Sequence, residues 1–133
     1  MNKYETAIAI FLQQLKMDKN TIGVIVTGSY IHGPFDKHSD IDIYVILHPD
    51  CDYRERGNTW INQIEIEYFK NPPQQIRSYF KTEVSPHTAD MLAKGNIRFQ
   101  GDPVVTELVA EAKQILQQRN KIPLVYCLTN MDC

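Results

Sequence analysis

Ser39-Asp40-Ile41-Asp42-Ile43-Tyr44-Val45-Ile46-Leu47 alternates acid and apolar residues at its start and turns wholly apolar toward its end. Period two is the spacing of a β-strand, whose successive side chains point to opposite faces. The stretch predicts a strand with Ile41, Ile43 and Val45 on one face and Asp40, Asp42 and Tyr44 on the other. Carboxylates at i and i+2 on one strand face stand about 6.5–7 Å apart along the backbone. Unpaired, they repel and resist burial. Two readings fit: a solvated face of an edge strand, or a pair of ligands leaning onto hard cations such as Mg²⁺, which take carboxylate, phosphate and water oxygens.

Upstream of this strand, Thr21 to Thr27 is a short run rich in β-branched residues, typical of a buried strand. It leaves through Gly28-Ser29. A glycine there lets backbone approach a ligand closely. The serine hydroxyl and the following N–H groups suit phosphate oxygens. By itself Gly-Ser after a strand is an ordinary turn. Between the two strands, Tyr30 to His38 holds Gly33-Pro34, which leaves room only for a short helical turn. At the N-terminal end, Tyr4 to Met17 spaces Ile8, Phe11, Leu12 and Leu15 as an amphipathic helix.

Downstream, His48 to Asn58 reads as a polar loop or hairpin connection. Trp60 to Phe69 reads as a third strand, with Ile64, Ile66 and Tyr68 opposite Glu65 and Glu67. Pro72-Pro73 suits the first turn of a helix continuing to Glu83. Ser85-Pro86 opens another, with Ser85 as N-cap, closing at Gly95. Ile97 to Phe99 is a short strand, and Gly101-Asp102-Pro103 introduces a long helix with Val105, Leu108, Ala112 and Ile115 at core spacing. Residues 121–133 carry no pattern that places them. The order predicts an α+β domain of the α/β type, a small mixed β-sheet flanked by helices.

Length and composition bound the rest. The 133 residues fit one domain, and 43% hydrophobic residues suffice for an ordinary core. A net charge of −2 makes long nucleic acid an unexpected partner. No apolar run approaches the roughly 18–20 residues that cross a bilayer, and the first residues lack a signal-peptide layout. Cys51, Cys127 and Cys133 are odd in number and far apart, which fits a reduced, cytoplasmic protein rather than a disulfide framework.

Three features coincide: Gly28-Ser29 at a strand exit, Asp40 and Asp42 eleven and thirteen residues after Ser29, and Glu65 or Glu67 on a later strand. Converging, they make a two-metal site for phosphoryl chemistry. Gly28-Ser29, ten residues and Asp40-Ile41-Asp42-Ile43 together resemble the signature of the DNA polymerase beta-like nucleotidyltransferase superfamily. The words around them, Thr27-Gly28-Ser29-Tyr30-Ile31-His32-Gly33 and Ser39-Asp40-Ile41-Asp42-Ile43-Tyr44, look like the bacterial stand-alone members, the aminoglycoside adenylyltransferase-like ones included. The resemblance spans roughly residues 24–115.

It implies the nucleotidyltransferase fold and a two-ion Mg²⁺ site, with Mn²⁺ as substitute. It also implies transfer of a nucleoside monophosphate, AMP from ATP, to a hydroxyl of a small-molecule or protein acceptor, with pyrophosphate leaving. Carried over by position, Asp40 and Asp42 are the paired metal ligands. Gly28 and Ser29, with Ser39, serve the nucleotide. Glu67-Tyr68-Phe69-Lys70-Asn71-Pro72 fits the family's third-acid strand better than Glu65 does, so Glu67 is metal ligand or general base and Glu65 the fallback.

Two departures stand out. His32 occupies the turn where relatives often carry arginine. No C-terminal helical domain of the kind that helps antibiotic-modifying relatives hold their acceptor is evident, so a homodimer or a helical partner protein is expected to complete the site. The alternative is a non-catalytic nucleotide- and metal-binding module, or the regulatory subunit of a toxin–antitoxin-like pair. Glycosyltransferase Asp-x-Asp motifs give no reason for the Gly-Ser spacing. Phosphatases of the Asp-x-Asp type expect a hydroxyl residue soon after the second acid, where Ile43, Tyr44 and Val45 stand. A calcium loop does not alternate as a strand, and no Walker-type loop is present. His87 and Asp90 read as an exposed or capping pair, Arg54 and Arg56 as solubilising loop residues, and Trp60 as sheet packing.

Overall fold

The computed structural model describes residues 2–120. In chain order the elements are α1 (Lys3–Lys16), β1 (Thr21–Thr27), α2 (Ser29–His32), β2 (Ile41–Leu47), β3 (Glu55–Ile61), β4 (Ile64–Asn71), α3 (Pro73–Thr82), α4 (His87–Lys94), β5 (Asn96–Gln100) and α5 (Val104–Asn120). The strands form one mixed sheet in the order β3-β4-β2-β1-β5. β1 runs antiparallel to β2 and β5, and β3 antiparallel to β4, while β2 and β4 are parallel. The segment after β2 skips one strand position, and the β3–β4 hairpin folds back to fill it. That route makes β2 and β4 parallel neighbours without a crossover helix between them.

Two cores cover the two faces of the sheet. On one, Ala7, Ile8, Phe11 and Leu15 of α1 pack against Val24, Val26, Ile41, Ile43, Val45 and Ile66. On the other, Ile25, Tyr44 and Ile46 meet Ile76 and Phe80 of α3, Met91 and Leu92 of α4, and Val105 and Leu108 of α5. Each fully buried aliphatic side chain contributes roughly 1.5–3 kcal/mol. Covered on both sides, β1 is buried along its whole length, as its unbroken apolar sequence requires.

The third strand of the sequence reading is a hairpin. Asn62 and Gln63 both take positive φ, 49° and 67°, a two-residue turn whose twist matches that of the strands it joins. β3 draws Glu55 to Thr59 out of the expected polar loop. It is an edge strand and mostly exposed, so no apolar alternation betrays it. Trp60 lies 65% exposed on it rather than packed into the sheet. At the other end of the chain order, α4 begins at His87, and Ser85 does not cap it. The Glu83 carboxylate accepts from Thr88 N and from Thr88 Oγ1, both at 2.9 Å, and satisfies a helix-start donor from outside the helix. No helix among the described residues is long and apolar enough to cross a membrane.

Candidate active site

The acids meet where β1, β2 and β4 lie side by side. Thr27 pairs with Asp42 in the antiparallel register, and Asp42 pairs with Glu67 in the parallel one. Residues directly opposite on neighbouring strands share a face, so period two on β2 and on β4 delivers both carboxylates to the same side. Asp40 precedes the first residue of β2 and joins them. Asp40, Asp42 and Glu67 each offer one carboxylate oxygen, and the three oxygens lie within 4.8 Å of one another. Glu65 shares the face but is held elsewhere, accepting from Asn58 Nδ2 at 3.0 Å.

Crowding leaves an electrostatic mark. The Asp42 carboxyl is pushed up to about 7, by burial first, then by Asp40 and Glu67, with Arg56 opposing. Arg56 of β3 donates through Nη2 to Glu67 Oε2 at 3.1 Å and lays its guanidinium 4.8 Å from the Phe69 ring centroid. One arginine against three acids leaves an excess of negative charge in a half-buried place. All-carboxylate oxygen donors with a charge deficit of this sign fit hard divalent cations such as Mg²⁺.

The glycine bend closes the site on the β1 side. Gly28 has φ 80° and ψ −159°, and its carbonyl accepts from Ile31 N and His32 N at 3.0 and 3.1 Å to start α2. A Cβ at position 28 would sit 2.1 Å from Asp42 Oδ2. Positive φ and this close approach each require glycine. Ser29 opens α2, and His32 at its far end lines the cleft above the acids. Ser39 does not: its hydroxyl donates to Asp36 Oδ1 and accepts from Asp36 N, both at 3.2 Å, a local turn outside the residues that line the cleft.

The cleft holds about 300 Å³ between Gly28, Asp42 and Glu67 on the sheet side and His87, Asp90 and Met91 of α4 opposite. Thr27 Oγ1 donates to Met91 O at 2.8 Å and so docks α4 over the end of β1. Asp90 is paired with Lys94 at 2.6 Å. His87, Asp90 and Arg56 therefore line the cleft, where sequence reasoning placed them on the surface. Their i, i+3 spacing and loop setting carried no sign of the partner surface, which only the tertiary fold supplies.

Behind α2, Tyr30 donates to Glu5 of α1, and Arg98 of β5 donates to the same carboxylate at 2.7 and 3.3 Å. The Arg98 guanidinium and the Tyr30 hydroxyl hold the Glu5 carboxyl below its usual range. The Tyr4, Tyr30 and Phe35 rings pack with centroids 5.1 to 5.9 Å apart. These contacts fix the segment that carries Gly28.

The chain belongs to the nucleotidyltransferase domain family, whose sequence pattern matches residues 8–98. Among solved structures it is similar to the nucleotidyltransferase-like protein from Exiguobacterium sibiricum 255-15, with a TM-score of 0.66 at 15% identity. That similarity covers 83% of this chain and 38% of the other, so this chain spans well under half the length of its structural neighbour. No curated protein matches the sequence. The family and the shared fold agree with the mixed sheet and the general chemistry read from Asp40-Ile41-Asp42 and its Gly-Ser turn.

Proposed function

We propose that the domain transfers a nucleoside monophosphate, AMP from ATP, to a hydroxyl group of a small-molecule or protein acceptor. The acceptor oxygen forms a bond to the α-phosphorus, the bond from that phosphorus to the bridging oxygen breaks, and pyrophosphate leaves with the electron pair. The observation that carries the reading is the convergence of Asp40, Asp42 and Glu67 within 4.8 Å, flush against the Gly28 bend.

Asp40, Asp42 and Glu67 would hold two divalent cations, Mg²⁺ or Mn²⁺. When bound, these would neutralise the charge that grows on the attacking and leaving oxygens. Gly28 and Ser29 offer the backbone bend and hydroxyl that receive the β and γ phosphates, with His32 at the same rim. Glu67, on the side of the cleft away from Gly28, would take the acceptor's proton. Arg56 holds the Glu67 carboxylate in place through their hydrogen bond.

Mixing the protein with ATP and Mg²⁺ and measuring pyrophosphate, with Asp42→Asn as control, tests this. Metal-dependent pyrophosphate release that the variant lacks supports it. Tight nucleotide binding with no pyrophosphate under any acceptor tried would favour the second reading, a non-catalytic nucleotide-binding module. A second subunit or a helical partner protein would supply the acceptor wall. Solution mass measures that directly.

A further inference from the structure

Two of the acids belong to one row across the sheet. Thr27, Asp42, Glu67 and Asn58 are successive register partners on β1, β2, β4 and β3. Gly28 bounds the row at its β1 end, where the β and γ phosphates are received. Displacement at the α-phosphorus sets the attacking and leaving oxygens in line. The acceptor therefore enters from the opposite end, over β3.

β3 presents Arg56, Asn58 and Trp60 to the face that carries Asp42 and Glu67, because their partners on β4 are Phe69, Glu67 and Glu65. Trp60 is a diagonal neighbour of Glu67, about 7–8 Å across the strands, a gap that aromatic side chains span. It is 65% exposed, so its ring is open to a ligand that comes in over β3. A large apolar ring left in water keeps burial free energy that a ligand can recover. Next to it, Asn58 Nδ2 donates to Glu65 Oε2 at 3.0 Å. That bond sets an amide and a carboxylate side by side and leaves Oε1 as an acceptor.

Each group narrows the acceptor. The indole takes the flat face of a ring. A tyrosine ring has one hydroxyl, which the reaction consumes, and brings nothing to Glu65. Glu65 and the acid row oppose a phosphate-bearing chain. Arg56, on the same face of β3, and the divalent ions oppose an added cation. An uncharged ring with several hydroxyls meets every one of these conditions.

We propose that Trp60, Asn58 and Glu65 form the floor on which the acceptor rests, and that the acceptor is an uncharged ring polyol. Its apolar face lies on the indole, and its spare hydroxyls bond to the Asn58–Glu65 pair. The reacting hydroxyl oxygen bonds to the α-phosphorus as pyrophosphate leaves, and its proton passes to Glu67. The assignment rests on the nucleotide reading above and adds the class of acceptor to it.

Trp60 is the chain's one tryptophan, so its emission reports on this floor alone. Acrylamide quenching is measured on the full chain with Mg²⁺ and α,β-methylene ATP. Methyl β-glucoside, methyl β-galactoside or myo-inositol is then added, with open-chain sorbitol as control. The nucleotide analogue alone should leave quenching as in the free protein. At least one ring should lower the quenching constant by about half, by covering one face of the indole, and sorbitol should not. The same ring should drive Mg²⁺-dependent pyrophosphate release from ATP. Trp60→Ala should raise its KM about three- to tenfold, more than KM for ATP, with Trp60→Phe in between. Protection by the nucleotide alone puts the base on Trp60, and protection that grows with protein concentration puts a second copy there; either overturns the floor. So does protection by no ring, or by a ring that is not turned over. In each case calorimetry that finds the analogue bound with Mg²⁺ leaves the nucleotide reading standing. If the analogue does not bind, the nucleotide reading falls and the floor with it.

Discussion

Gly28 leaves no room for a side chain against Asp42: an added Cβ would stand 2.1 Å from Oδ2 and 2.9 Å from Cγ. The backbone there is also at φ 80°, which alanine adopts only at a cost of order 1–3 kcal/mol. Gly28→Ala should therefore push the Asp42 carboxylate out of the triad. We expect at least about a 100-fold loss of metal-dependent pyrophosphate release, as for a catalytic group misplaced by an ångström. Urea denaturation should show a stability loss of about 1–3 kcal/mol. Unchanged activity would mean the bend does not set the position of Asp42.

Asp42→Asn should abolish transfer and yet stabilise the metal-free protein at alkaline pH. The folded carboxyl is pushed up to about 7 from its ordinary 3.8. Between those values the native state holds a proton that the unfolded state has released. Stability therefore falls as pH rises across that window, and the loss is complete above it. The variant has no such loss. Melting curves without divalent ions should lie closer together at pH 5 than at pH 8, where the full loss is present and the variant should melt a few degrees higher. Mg²⁺ should raise the wild-type melting temperature more at pH 8 than at pH 5, because it binds the ionised form.

Arg56 competes with any cation for Glu67, to which it donates at 3.1 Å. The pair is largely exposed on the arginine side, so its worth lies in the range of about 0.2–1 kcal/mol. Arg56→Gln should lower the Mg²⁺ concentration at half-saturation about two- to fivefold, as read by thermal shift against Mg²⁺. A midpoint that stays put would show that Arg56 does not hold Glu67 in solution.

The β3–β4 turn offers a test away from the site. Gln63 at φ 67° sits where glycine is preferred. Gln63→Gly should stabilise the fold by up to about 1 kcal/mol in denaturant titration, with activity unchanged. A destabilised variant would mean that the Gln63 side chain contributes packing that outweighs its backbone strain.

These residues also show where the sequence was readable. The shared face of Asp42 and its neighbours was legible because alternation on a strand fixes the face, while the preference for Glu67 over Glu65 rested on the resemblance. Only the parallel register of β2 and β4, which no local pattern encodes, brings Glu67 opposite Asp42 rather than Glu65. β3 was hidden because an edge strand with one open flank tolerates Glu55, Arg56, Gly57 and Asn58, and its turn lacks the glycine that usually marks such hairpins. His87 and Asp90 gained their setting from the docking of α4 through Thr27, a contact 64 residues apart. Ser39 engages Asp36 in a local turn, and Asp36 three residues earlier carried the signal for that turn.

The Glu5 carboxylate, which ties Tyr30 behind the bend to Arg98, precedes the family match, and that match begins at Ile8 and ends at Arg98. A chain trimmed to those borders would keep every acid of the cleft and drop the anchor of the segment that shapes it. Such a trimmed domain would also lose Phe99 and Gln100 of β5 and all of α5, whose Val105, Leu108 and Ala112 lie in the second core, so it should be markedly less stable. The first helical turn thus belongs to the working domain, because its Glu5 anchors the segment that carries Gly28.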